Sequence, residues 1–64
     1  MLTVGELLKG FNEKKLLTVY INNFLVFDGY SDKVEPINFD LKIKDLNVRG
    51  KVLNLKLDEF YWLS

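Results

Sequence analysis

The chain contains no histidine and no cysteine. Those absences remove the common proton shuttle, the thiol nucleophile and most transition-metal ligand sets. They also exclude disulfides as a source of stability. Four scattered glycines, Gly5, Gly10, Gly29 and Gly50, make no phosphate-cradling loop. No apolar run approaches the ~20 residues of a membrane span. The longest runs, Phe24 to Phe27 and Phe60 to Leu63, are four residues each. Met1 to Gly10 carries Glu6 and lacks a basic start before an apolar stretch, so it does not read as a signal peptide. Charge of one sign is not in excess either: nine basic and nine acidic residues give a net of zero. The lack of cysteine fits a cytoplasmic location.

What is present is apolar. Of 64 residues, 48% are hydrophobic and 14% aromatic. The length predicts a single domain over residues 1–64. A domain of about 60 residues buries only about 60% of the surface its unfolded chain exposes. With no cross-link to help, dense packing or self-association must supply stability. The apolar excess points to surface left for a second copy or a partner, with a dimer favoured.

Thr3-Val4-Gly5-Glu6 has the form of a helix capping box, and Val4, Leu7, Leu8 and Phe11 follow at helical spacing. This predicts a short helix from about Val4 to Gly10. Leu16–Ile21 and Phe24–Phe27 read as a hairpin around Asn22-Asn23, a pair suited to a type I′ turn. The expected register sets Ile21 opposite Phe24, Val19 opposite Val26 and Leu17 opposite Asp28. Tyr20 with Leu25, and Thr18 with Phe27, then occupy the other face. Both faces are mostly apolar, and one helix covers only one of them.

Pro36 forbids a helix interior. From Ile37 to Lys44 the alternation is strict: Ile37, Phe39, Leu41 and Ile43 one way, and Asn38, Asp40, Lys42 and Lys44 the other. This predicts a half-buried strand. Leu46 and Val48 fall out of phase with it. Either a β-bulge near Lys44-Asp45 restores their inward direction, or Asp45 to Gly50 is a loop. Arg49-Gly50 reads as a turn, Leu53, Leu55 and Leu57 as inward positions, and Phe60 to Leu63 as a last short strand. The fold expected is α+β, one N-terminal helix on a four- or five-stranded antiparallel sheet. The alternative is a small SH3-like or Sm-like barrel capped by the helix.

Catalysis finds little support. Asp58-Glu59 is the one adjacent acidic pair, and strand neighbours point apart. Ser31 and Ser64 have no histidine to activate them. Asp28, Asp32 and Glu35 lack the regular oxygen spacing of a calcium loop. The expectation is a non-enzyme with no catalytic residue, cofactor or metal. Nucleic-acid binding has one feature in its favour. Residues 42–56 hold Lys42, Lys44, Arg49, Lys51 and Lys56 against Asp45 alone, a local net of +4. Such a ribbon could lie on phosphates, but lysines on outer strand positions equally prevent sheet-to-sheet aggregation. A protein partner has more in its favour. Tyr20, Leu25, Phe27, Tyr30, Tyr61 and Trp62 are the candidate interface residues, because aromatic side chains carry most interface energy. Tyr20, Leu25 and Phe27 are expected on one side with Tyr61 and Leu63.

In order, Thr3 to Leu8 (Thr-Val-x-Glu-Leu-Leu), the acid-glycine step Asp28-Gly29, Ser31-Asp32 and the acidic turn Asp58-Glu59 give a pattern. It resembles small proteins encoded by phages and mobile elements of Gram-positive bacteria. That pattern has a short helix where this chain alternates through Ile37 to Ile43. The resemblance implies an accessory protein in the cytoplasm of a bacterial host, one that binds and inhibits or modulates a host protein such as a defence factor. It assigns no functional residue. A structural role in a phage particle is the further alternative and predicts ordered higher oligomers.

Overall fold

The computed structural model describes residues 2–63. Helix α1 (Val4–Lys9) begins at the expected capping box. The Thr3 hydroxyl accepts from the Glu6 backbone N–H at 3.2 Å, and the Glu6 carboxylate accepts from the Thr3 N–H at 2.9 Å. The remaining N–H groups of the first turn have no partner within the helix, as at any helix N-terminus. Val4 N–H donates to the Leu41 carbonyl and Gly5 N–H to that of Phe39, both at 2.9 Å. The helix is thereby docked onto the 39–41 segment.

That docking depends on Gly5. A Cβ there would stand 2.9 Å from Phe39 Cβ and 3.1 Å from the Phe39 carbonyl oxygen. Glycine to alanine within a helix ordinarily stabilises by about 0.5–1 kcal/mol. Here the sign reverses: Gly5→Ala is expected to destabilise by about 1–3 kcal/mol, the usual cost of overpacking. Thermal unfolding of the variant checks this, and an unchanged or raised midpoint would contradict it.

Strands β1 (Leu16–Ile21) and β2 (Phe24–Tyr30) form the predicted hairpin. Asn22 and Asn23 have φ of 51° and 69°, positive at both central positions as a type I′ turn requires. The expected register holds for Ile21–Phe24 and Tyr20–Leu25, then slips. Val19 faces Phe27 rather than Val26, Thr18 faces Asp28, and Leu17 faces Gly29. A bulge inserts Val26, and both Val26 and Phe27 pack on the core. Phe27 is therefore a core-side residue, not a companion of Tyr20 and Leu25.

Strands β3 (Ile43–Arg49) and β4 (Val52–Leu57) form a second hairpin. Its turn is Gly50-Lys51 rather than Arg49-Gly50, with Gly50 at φ 60°. The bulge at Lys44 is present. The sheet order is β2-β1-β4-β3, and β1 runs parallel to β4. The sheet is open and mixed, with four strands; it is neither wholly antiparallel nor five-stranded, and it is not a barrel. Alternation reports which face a side chain takes, not the direction of its neighbour, so the parallel pair was not visible in the sequence.

The strand expected from Ile37 to Ile43 is replaced, up to Asp40, by turns. Two 3-10 turns, Ser31–Lys33 and Pro36–Asn38, carry the chain across the sheet. Proline is suited to the first position of such a turn, where its missing N–H costs nothing. The expected directions invert there: Ile37 is 64% exposed, while Asn38 is fully buried. Phe60 to Leu63 forms no strand either.

The core lies on one face of the sheet. Leu17, Val19, Ile21, Leu55, Leu57 and Ile43 project into it and meet Val4, Val34 and Leu41 from the covering segments. Leu7, Leu8, Phe11, Phe39 and Trp62 close its margins.

Candidate functional site

After β4 the chain turns back across one end of the sheet. Its course is set by side chains bonding to backbone at both ends. Asp58 N–H donates to the Lys42 carbonyl at 2.9 Å, and the Glu59 carboxylate accepts from Lys42 N–H at 3.1 Å. At the far end the Asn38 side chain works as a two-point clamp. Its Oδ1 accepts from Leu63 N–H at 2.9 Å and its Nδ2 donates to the Leu63 carbonyl. An amide can donate and accept side by side, as a strand backbone does. Asn38 is thereby satisfied in full burial.

Between these anchors lie Phe60, Tyr61 and Trp62. Trp62 turns inward onto Phe27, with ring centroids 5.6 Å apart and planes tilted by 44°. Phe60 and Tyr61 turn outward. With Ile21, Phe24 and Val26 they line a shallow depression beside the Asn22-Asn23 turn. Phe24 is 75% exposed and Phe60 93% exposed. The type I′ turn puts Phe24 at the tip of the sheet, directly opposite Ile21.

The opposite face of the sheet has no buried residue among those described. Cross-strand partners share a face, so the pairings define three rows. The first is Tyr30-Leu16-Val52-Arg49, the second Asp28-Thr18-Asn54-Asn47, and the third Leu25-Tyr20-Lys56-Asp45. In the middle row the Thr18 hydroxyl donates to the Asn54 side-chain carbonyl. Lys14 Nζ sits 4.6 Å from the centroid of the Tyr30 ring, a cation–π contact.

The predicted interface residues are thus divided. Tyr20, Leu25 and Tyr30 lie on the uncovered sheet face. Tyr61 and Trp62 line the aromatic depression, and Trp62 also contacts Phe27, which packs on the core. Phe24 and Phe60 complete that depression and were not singled out from the sequence. Their signal was position: Phe24 follows a two-residue turn and Phe60 follows the acidic pair Asp58-Glu59.

The basic ribbon is divided as well. Lys56 and Arg49 belong to the uncovered face, and Lys44 is the bulge residue. Lys51 is in the turn, and Lys42 pairs with Thr3 outside the sheet ladder. Lys42, Lys44 and Lys56 therefore form no continuous stripe.

The Glu6 carboxyl is held below the usual carboxylate range by its hydrogen bonds to the Thr3 backbone and hydroxyl, which belong to the helix cap. Among the described residues no three acidic side chains gather as metal ligands, and no helix is long and apolar enough to cross a membrane. Comparisons with protein-family models, with curated proteins and with solved structures return no match for this chain.

Proposed function

We propose that the protein is a non-catalytic binding module that docks on a partner protein through the aromatic end of its sheet. One observation carries this reading: Phe60 and Tyr61 are held outward on a segment pinned at both ends, by Glu59 on Lys42 and by Asn38 on Leu63. Exposed aromatic side chains on a frayed tail would mean little. On an anchored segment their ordering cost is met in folding rather than in binding, which is how preorganised surfaces gain affinity. Aromatic anchors in a shallow hollow are the usual energetic centre of a protein interface. In line with the resemblance to phage accessory proteins, the partner is a host protein that this chain inhibits or modulates in the bacterial cytoplasm.

Immobilised protein, challenged with lysate of a Gram-positive bacterium, tests the reading. The wild-type chain should retain a specific protein at high salt, since apolar contacts are insensitive to ionic strength. The Phe24→Glu/Phe60→Glu variant should lose it by tenfold or more. Equal retention by both would refute the aromatic end as the docking surface.

A second reading has its own observation. The β1–β4 pairing sets Tyr20 beside Lys56, with Arg49 on the same open face. A tyrosine next to cations on a sheet can stack a base and hold phosphate. Asp28 and Asp45 on that face oppose it. This reading predicts retention of a single-stranded oligonucleotide that falls steeply with salt and is lost in Tyr20→Ala.

A further inference from the structure

Strand β3 is an edge of the sheet, and part of that edge is left open. Its first residue is covered: Ile43 N–H donates to the Leu2 carbonyl at 2.8 Å, and Thr3 pairs with Lys42. From Lys44 to Gly50 no strand among the described residues lies alongside it. On the core side of this stretch Leu46 and Val48 share a face with Leu55 and Leu53, yet they are 42% and 61% exposed. The bulge at Lys44, one of the two alternatives the sequence left open, turns them to the core face, but no covering segment among the described residues reaches that far.

We propose that this stretch pairs antiparallel with the same stretch of a second copy, about a two-fold axis through Asn47, to make an eight-stranded sheet. Backbone geometry selects the residues that bond. Around a two-residue turn, Arg49 and Val52 exchange backbone hydrogen bonds, and alternation then turns the N–H and C=O groups of Asn47 and Asp45 toward β4 as well. Leu46 and Val48 consequently present theirs to the open edge. In keeping with this, Leu46 N–H donates to the Asp45 carboxylate of its own chain at 2.9 Å. With the axis at Asn47, Leu46 meets Val48 of the second copy, and both residues have outward-facing backbone groups.

Side chains select the register. With the axis at Asn47, Asp45 of each copy faces Arg49 of the other on the uncovered face, so two opposite-charge pairs form at once. On the core face Leu46 and Val48 cover each other. Moving the axis to Leu46 sets Asp45 opposite Asn47, and moving it to Val48 sets Arg49 opposite Asn47. Within the open stretch neither matches charge; with the axis at Val48, Asp45 falls opposite Lys51, which lies in the turn and outside the strand. The open stretch from Lys44 to Gly50 is itself centred on Asn47. Strand β2, the other edge, is broken by its bulge near Val26 and offers Asp28 without a cation to match it. On pairing, Asp45 releases Leu46 N–H to the second copy and turns to Arg49. The isolated chain thus protects its own edge with Asp45 until the matching edge arrives.

The dimer places β2 and its Phe24 at the two outer edges of the long sheet. Its formation is therefore independent of the aromatic docking surface. Light scattering behind a sizing column is the test. Wild-type protein should give a mass of twice 7.5 kDa. Asp45→Arg and Arg49→Asp each set like charges opposite one another and should give monomers with an unchanged circular dichroism spectrum. Combining the two substitutions restores opposite charges and should restore the dimer. Val48→Pro removes an outward N–H without touching the β4 ladder and should also dissociate it. A wild-type monomer at millimolar concentration, or single-charge variants that remain dimeric, would overturn the proposal.

Discussion

Leu55→Ala is expected to lower the free energy of unfolding by about 2–5 kcal/mol, the range for truncating a fully buried leucine. Leu55 sits at the middle of β4 with no exposed surface, between Val19 on β1 and Leu46 on β3. It joins the two hairpins, because β4 is the strand through which β3 reaches β1. Shortening it removes apolar contacts on both sides and leaves a void that central strands cannot close. At roughly 0.05–0.15 kcal/mol per residue, a domain this small has few kcal/mol in reserve. Urea unfolding should therefore show a variant already partly unfolded in the absence of denaturant. A free energy of unfolding within about 0.5 kcal/mol of wild type, the range of ordinary surface substitutions, would mean that Leu55 is not in the core.

Asn38→Ala is the second large effect, at about 2–4 kcal/mol. It removes two hydrogen bonds worth about 1 kcal/mol each and empties a fully buried site. The loss has a local signature as well. Leu63 is freed, Trp62 next to it loses its fixed position on Phe27, and the aromatic end loosens. Trp62 is the sole tryptophan, so its emission reports this directly and should shift to the red before global unfolding. Asn38→Asp is the sharper control. It keeps the acceptor for Leu63 N–H but turns an acidic oxygen toward the Leu63 carbonyl, so an ionised carboxylate is repelled. Acidification protonates that oxygen and turns it into a donor. The variant should accordingly gain stability relative to wild type as pH falls through its raised pKa, a gain that is absent above it. Unchanged Trp62 emission in Asn38→Ala would show that the clamp does not hold the segment.

Features set by neighbouring residues were legible in the sequence. The Thr3–Glu6 capping box, the Asn22-Asn23 turn and the inward leucines of β4 each depend on a few consecutive positions, whereas the phase slip after Lys44 left a bulge and a loop as equal alternatives. Where two side chains of similar character compete, the pattern misled. Val26 and Phe27 are both apolar, so nothing local marks which of them is the extra residue, and Phe27 was assigned to the wrong face. Ile37-Asn38 follows strand alternation, but Pro36 starts a turn that inverts both, and the reward for burying Asn38 comes from Leu63, 25 positions away. The parallel β1–β4 pair is a matter of topology and left no local trace. The candidate site shows the same division: the abundance of aromatic residues was visible, but which of them the fold consumes was not.

Phe27 and Trp62 hold the fold, while Phe24 and Phe60 are displayed at its surface. Equilibrium urea unfolding of Phe24→Glu/Phe60→Glu, measured beside wild type, tests this division most directly. Stabilities within about 1 kcal/mol of each other are expected, the range for two exposed substitutions. A loss of about 3 kcal/mol or more would place these aromatics in the core and contradict the docking surface built on them.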